Sequence, residues 1–385
     1  GADRWTGTVD YGDGAGAQPL TLNAGKTFSL SHTYDDNGSF TVTVKVKDDD
    51  SGEGTATIVV TVDNVAPSAT LSNNGPVAEG SATPVTVSFS GATDPSGADT
   101  TAGFKYAFSC TNNAAALPTT YAAAGTDVST NCTFGDNGSL PVLGRIFDKD
   151  NGYSDYTTVV TVTNVAPTKT SATFTFNPYN GAAAASVGFS DAGWLDVVGA
   201  TFDWAGTPFS PASIEPAAGP GPLTGTFTGT HTFGPGCIAA PIAVTVSDDD
   251  GGSFVHQFAA ANTLGQYTST FMAPLKDGAR NIVKLNNVIP VKLIVRDCNG
   301  NFVSNRMLSI FVTAGILNVQ DVVEGTELVP ATSVSGADTT GVMRLADSHY
   351  MYNLATKGMT TGLPYTIVIK DGTFVVATAV VEAKK

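Results

Sequence analysis

Three acidic clusters are the most concentrated chemistry in this 385-residue chain: Asp48, Asp49 and Asp50; Asp148 and Asp150 either side of Lys149; and Asp248, Asp249 and Asp250. Glycine follows each within a few residues, so several carboxylates are confined to one turn. Carboxylates that close repel one another, and a hard divalent cation with oxygen ligands relieves the repulsion. The chemistry these loops could do is therefore binding of Ca2+. The competing reading is a solvated turn in which Asp and Gly serve only the backbone. "RDCNGN" at residues 296–301 is a weaker candidate of the same sort, read first as a plain hairpin turn.

For catalysis the search is mostly empty. A nucleophile needs a base that is itself oriented by a third group. No GxSxG, HExxH or Cys-His pattern appears, and the four histidines are His32, His231, His256 and His349. His32 and His231 open the matching triplets "HTY" and "HTF", which reads as His, Thr and an aromatic packing at a strand start. The expectation is that the chain is not an enzyme.

The elements that position the acidic loops repeat. "NVAP" occurs at residues 64–67 and 164–167, and the acidic triplets fall at 48, 148 and 248, a period of about 100 residues. Around each triplet runs a turn, an alternating strand, the acidic loop and a second alternating strand. The first copy is "DDNGSF", "TVTVKVK", "DDDSGEG", "TATIVVTVDNVAP", and the second "GDNGSL", "PVLGRIF", "DKDNGYS", "DYTTVVTVTNVAP". A looser third runs "FGPGCI", "APIAVTVS", "DDDGGS", "FVHQFAAANT". Period-two alternation with Asn-Gly or Gly-Gly turns predicts hairpins, because those residues tolerate positive φ. Each repeat is therefore expected to be an antiparallel sandwich.

Aligning "GAD" at 1–3 with "GAD" at 97–99 and "GWLD" at 193–196 shows what repeat one lacks. Repeats two and three carry about thirty residues and two strands before that point, "TPVTVSFSGATDPS" and "ATFTFNPYNGAAAASVGFSDA". Missing strands leave an unpaired edge and an uncovered core. Three explanations follow: the chain is part of a longer protein, another copy or partner donates the strands, or the first domain is a degenerate one that folds without them.

"VDYGDG" at 9–14, "SHTYDDNGSFTVTVKVKDDDSG" at 31–52 and "VTVDNVAP" resemble the polycystic-kidney-disease (PKD) domain. The resemblance covers residues 1–262, with departures: repeat two has "AFSCTNN" for the YGDG element and "CTF" for HTY, and repeat three has "FDWAG". It implies an Ig-like β-sandwich and acidic loops that bind calcium with acidic residues of a neighbouring strand or linker. Asp3, Asp94, Asp99, Asp191 and Glu79 are the second contributors it suggests. From residue 263 the repeat breaks. "PVKL" at 290–293 and the later "HYMYNLATKGMTTGLPYTIVIKDGTFVVATAVV" resemble the bacterial surface-protein module called PxKF, with Leu for Phe.

Cys110 ends one predicted strand of repeat two and Cys132 begins another, with no counterparts in the other repeats. A pair gained together predicts a disulfide closing about 20 residues, worth on the order of 3 kcal/mol. Cys237 and Cys298 pair across the boundary between domains three and four or stay free, and the cross-domain bond is the preferred reading. Disulfides point to an oxidising compartment.

The fold class expected is all-β: tandem Ig-like antiparallel β-sandwiches, PKD-like over 1–64 (incomplete), 65–166 and 167–262, then a PxKF-like sandwich over 263–385. With 34 acidic and 19 basic residues the net charge is −15, which repels a phosphate backbone and argues against nucleic acid. No stretch has the roughly 18 to 20 apolar residues that span a bilayer. The function expected is an extracellular structural or adhesive one at the cell surface, as a self-assembling subunit of a surface layer, sheath or filament. Its partners would be copies of itself or other surface proteins, and its joints calcium-stiffened. The alternative is a non-catalytic spacer or polysaccharide-binding arm of a secreted hydrolase.

Overall fold

Alternation along each strand decides which face meets the core. In Gly38–Asp48 the side chains of Val42 and Val44 are buried while their neighbours Thr41 and Lys45 face solvent. The computed structural model describes residues 4–216, 219–317, 329–331 and 341–385, so Asp3 lies outside the described residues. It is nearly all β, and its residues divide into two compact units, 1–165 with 192–196 and 216–223, and 166–191 with 197–215 and 224–385.

In the first unit, repeat one is a single sheet in the order Gln18–Leu20, Trp5–Asp10, Gly38–Asp48, Glu53–Val62, all antiparallel. Val9, Val42 and Val44 form its small core with Tyr11, Leu20, Val46 and Val60 packed against them. Repeat two has two sheets. One runs Val77–Ala78, Tyr153–Thr163, Gly138–Phe147, Lys105–Ser109, and the other Ser68–Asn73, Val85–Thr93, Ser129–Cys132. Between them lies a core of Val85, Val87, Val142, Val160 and Val162. The pairing of Val77 and Ala78 with Val162 and Thr163 is parallel, a short exception to the antiparallel rule.

Repeat one has no second sheet among the described residues. The counterpart of Ser129–Cys132 is residues 29–32, which form no strand. Phe28 and Leu30 beside it are exposed.

In the second unit, repeat three pairs Thr168–Phe176, Ala182–Asp191 and Leu223–Thr232 in one sheet. The other sheet is Pro208–Phe209, Gly199–Trp204, Ile242–Ser247, Ser253–Ala259. The remaining residues build a sheet of Thr268–Met272, Val288–Arg296, His349–Ala355 and Arg344–Ala346. Facing it is a sheet of Arg280–Lys284, Phe374–Lys384, Pro364–Asp371, Leu308–Ala314 and Val329–Pro330. Val291, Leu293, Leu308, Ile310, Ile367 and Ile369 are wholly buried in its core, the largest in the chain's described residues.

Candidate cation sites at the acidic loops

Each acidic loop joins two neighbouring antiparallel strands, and its first aspartate builds it. The Asp48 N–H donates to Gly52 O (3.0 Å), and Asp48 Oδ1 accepts from the Gly52 N–H (2.6 Å). Asp148 repeats both bonds with Gly152 (3.0 and 2.8 Å), and Asp248 with Gly252 (3.1 and 2.7 Å). The fourth residue of each loop, Ser51, Asn151 or Gly251, takes a positive φ of 78°, 69° or 92°. At the fifth, a Cβ on Gly52, Gly152 or Gly252 would lie 2.6, 2.2 or 2.2 Å from the aspartate's Oδ2. In these three loops the close approach of the carboxylate leaves no room for a Cβ at the fifth residue.

"DCNGN" builds the same loop. Asp297 Oδ1 accepts from the N–H groups of Asn299 (2.9 Å) and Asn301 (2.8 Å), and Gly300 takes φ 83°. Hydrogen bonds from the Asn301 side chain and backbone hold the Asp297 carboxyl below the usual range. Four loops therefore share one backbone device, and they differ at the second residue: Asp49, Lys149, Asp249 and Cys298.

That residue reaches outward in every case. Asp49 Oδ1 accepts the Arg4 N–H (3.0 Å), and Asp249 Oδ1 the Val197 N–H (2.9 Å). Lys149 Nζ donates to both oxygens of Asp36 in repeat one (2.8 and 2.9 Å), bonds Asp150, and lies 3.2 Å from Asp99 Oδ1. Cys298 is bonded to Cys237.

The joint between repeats one and two gathers the most acid. Asp99 sits in the first turn of the short helix Gly97–Ala102, whose N-cap Ser96 accepts the Asp99 N–H at 3.1 Å. The helix abuts repeat one, where Asp35 Oδ1 accepts the Gly97 N–H at 3.0 Å. Asn64 Nδ2, at the end of repeat one, donates to Asp148 Oδ2 at 2.8 Å. Oxygens of Asp94, Asp99 and Asp148 lie within 4.8 Å of one another, as do those of Asp36, Asp99 and Asp150. Asp99 and Asp148 are both 0% exposed. Burial pushes the Asp99 carboxyl up, against the lowering pull of Lys149 and Ser96. Burial opposes charging Lys149, but its bonds to Asp150, Asp36 and Asp99 outweigh that and hold its pKa above the usual lysine range.

A further group in the first unit is Glu79, Asp136 and Asp196, with Glu79 Oε1 accepting the Val165 N–H of the second "NVAP" at 2.6 Å. In the second unit, buried Asp191 and Asp248 bring oxygens within 4.8 Å, while Asp249 and Asp250 are exposed. Asp48, Asp49 and Asp50 enter no such group among the described residues. Sequence reasoning passed over Asp36 and Asp136, which stand one residue before the Asn-Gly turns "DNG" at the same 100-residue period. That shared position was the available signal.

The histidines and the other disulfide share a second site. His32 stacks on Tyr11 at 4.0 Å, meets Tyr34 edge-on at 4.7 Å, and its Nε2 is 2.9 Å from Asp13 Oδ2. In repeat three Trp204 takes the place of Tyr11 and stacks on His231 at 5.7 Å, with Phe233 edge-on at 4.6 Å. At the matching places repeat two has Cys110 and Cys132, which are bonded to each other. The "YGDG" and "HTY" motifs are thus two halves of one stacked contact, replaced by a disulfide in repeat two. Trp204 is buried, and Trp5 lies beneath Lys26, with Nζ 4.2 Å from its ring centre.

Among solved structures, the chain is similar to a tetra-tandem repeat from the extending region of a large adhesion protein. The identity is 16%, with 98% of this chain and 90% of that chain covered and a TM-score of 0.35. It is also similar to extracellular cadherin domains 1–5 of protocadherin gamma B2, at 11% identity, 100% and 74% coverage and a TM-score of 0.22. Domains 4–9 of the surface layer protein SbsC match at 14% identity, 98% and 47% coverage and a TM-score of 0.19. No curated protein matches the chain. The family model of the PKD domain matches residues 1–62, the part of the chain where the "YGDG" and "HTY" halves meet.

Proposed function

We propose that this chain is a load-bearing segment of an extracellular structural or adhesive protein, and that divalent cations, Ca2+ first among them, bind at its acidic loops and stiffen its joints. The observation that carries the reading is the acid gathered at the joint of repeats one and two, where Asp99 and Asp148 are wholly buried. Carboxylates from repeat one (Asp36) and repeat two (Asp99, Asp148, Asp150) converge there. Burying like charges costs several kcal/mol per ion unless cations compensate them, so a cation that bridges both repeats ties one to the other. Both cysteine pairs are bonded, which suits an oxidising compartment. The PKD match over residues 1–62 and the sandwich that follows it support a tandem array. The PxKF resemblance at residues 290–293 fits a surface-protein module at the other end.

The place of work is a surface layer, sheath or filament, built from copies of this chain or with other surface proteins. The test is electron microscopy, with mass from light scattering, of the purified chain in calcium and in chelator. Ordered sheets or filaments that dissolve in chelator are the expected result. A monodisperse monomer under both conditions would sink self-assembly.

A further inference from the structure

We propose that Lys149 is a built-in cation that fills the Asp36–Asp99–Asp150 seat, so that residue 149 sets how many divalent ions the joint of repeats one and two takes up. The inference rests on the reading of these loops as cation seats and goes beyond it, since it assigns one seat to the chain's own ammonium.

Three observations meet at this residue. The carboxylates come from three separate elements: the turn before Gly38–Asp48, the helix Gly97–Ala102 and the second acidic loop. Nζ lies among them at ammonium hydrogen-bond distances, 2.8 and 2.9 Å to Asp36 and 3.2 Å to Asp99. Asp99 is wholly buried; its Oδ1 makes an ion-pair contact with Lys149 Nζ at 3.2 Å, and neither of its oxygens has a hydrogen-bond partner among the described residues. A buried carboxylate oxygen of this kind calls for a positive charge. Because Asp99 belongs to both acidic groups, Asp36, Asp94, Asp99, Asp148 and Asp150 form one linked cluster, of which Lys149 contacts Asp36, Asp99 and Asp150. One positive charge does not balance them, and the Asp94–Asp99–Asp148 side stays available to a divalent ion.

The other repeats show what stands at this position without the lysine. Repeats one and three have Asp49 and Asp249 there, on loops with the same hydrogen bonds and the same positive φ. Exchanging Lys149 for Asp therefore changes charge and ligand count while keeping the loop's backbone. It removes the resident ammonium and adds a fourth carboxylate to the seat, which a Ca2+ ion with its six to eight oxygen ligands suits.

Isothermal titration calorimetry of the full chain with CaCl2, after chelator treatment, tests this on wild type and Lys149→Asp. The variant is expected to bind about one more Ca2+ per chain than wild type. An equal stoichiometry overturns the inference even where wild type binds Ca2+, and leaves the proposed function standing. Wild type binding none while the variant binds one keeps the inference and removes calcium from the proposed function; neither binding any sinks both. Lys149→Gln guards against misfolding of the aspartate variant. Its thermal midpoint should fall in chelator and recover in CaCl2 by more than wild type's rises, and equal calcium shifts would contradict the proposal.

Discussion

Lys149 and Cys298 occupy the same place in the same Asp-headed loop, yet they fasten their domains by different chemistry. In the first unit, Lys149 ties repeat two to Asp36 of repeat one through charge. In the second, Cys298 ties the last domain to Cys237 of repeat three through a covalent bond. Around the disulfide, Tyr179 donates to Asp371 (2.7 Å) and meets Tyr267 edge-on, and Arg306 donates to Tyr267 (3.0 Å), so that joint is fastened by rings as well. The same backbone loop therefore carries two different fastenings at its second residue, an ammonium set among carboxylates and a disulfide sulfur. The same exchange appears inside the repeats, where the stacked pairs Tyr11–His32 and Trp204–His231 are replaced by the Cys110–Cys132 bond.

The largest effect expected is at the covalent joint. Cys237 and Cys298 are 61 residues apart, so the double change to Ser should cost about 4 kcal/mol. Denaturant melts in calcium and in chelator should show the same loss, which marks the joint as indifferent to ions. Next is Lys149→Met, which leaves Asp36, Asp99 and Asp150 without their ammonium. The Lys149 side chain is 26% exposed, so the cost should be about 2 kcal/mol, below that of breaking a fully buried pair. The loss should be greatest at low salt, and a loss equal at all salt concentrations would break the comparison.

The backbone loop itself can be tested by Gly152→Ala. The new methyl would lie 2.2 Å from Asp148 Oδ2 and 2.3 Å from Asn64 Nδ2, disturbing the loop and its bond to repeat one together. A cost of about 1 to 2 kcal/mol is expected in urea melts, against almost none for Gly54→Ala, where the methyl meets open space. The smallest effect is at His256, away from either fastening. Burial first, and then Lys169, hold its pKa below the ordinary 6.5. The folded state thus favours the neutral ring, so this contribution is complete above pH 6.5 and is lost as pH falls through the lowered pKa. His256→Phe should flatten that slope of stability against pH.

Much of this was legible in the sequence because it repeats. The acidic triplets, the "HTY" and "HTF" triplets and the alternating strands recur at one period, and turn chemistry fixes where the loops fall. What sequence alone left open was which carboxylates meet. Asp36 and Lys149 are 113 residues apart and come together only because the turn of one repeat faces the loop of the next. Asp297 was read as an ordinary turn residue because Cys298 and Asn299 hide its kinship with Asp148, though the hydrogen bonds are the same. Asp48 was legible as a loop builder, but no neighbouring carboxylates gather about it among the described residues.

The central claim, that one loop position sets the chemistry of these two joints, is tested most directly by distance distributions from pairs of spin labels carried on unnatural amino acids. One pair would span repeats one and two, the other repeat three and the last domain. The account predicts that high salt, which screens the Lys149–Asp36 contact, broadens only the first distribution and reductant only the second. Both distributions responding to the same reagent, or neither responding to either, would contradict it.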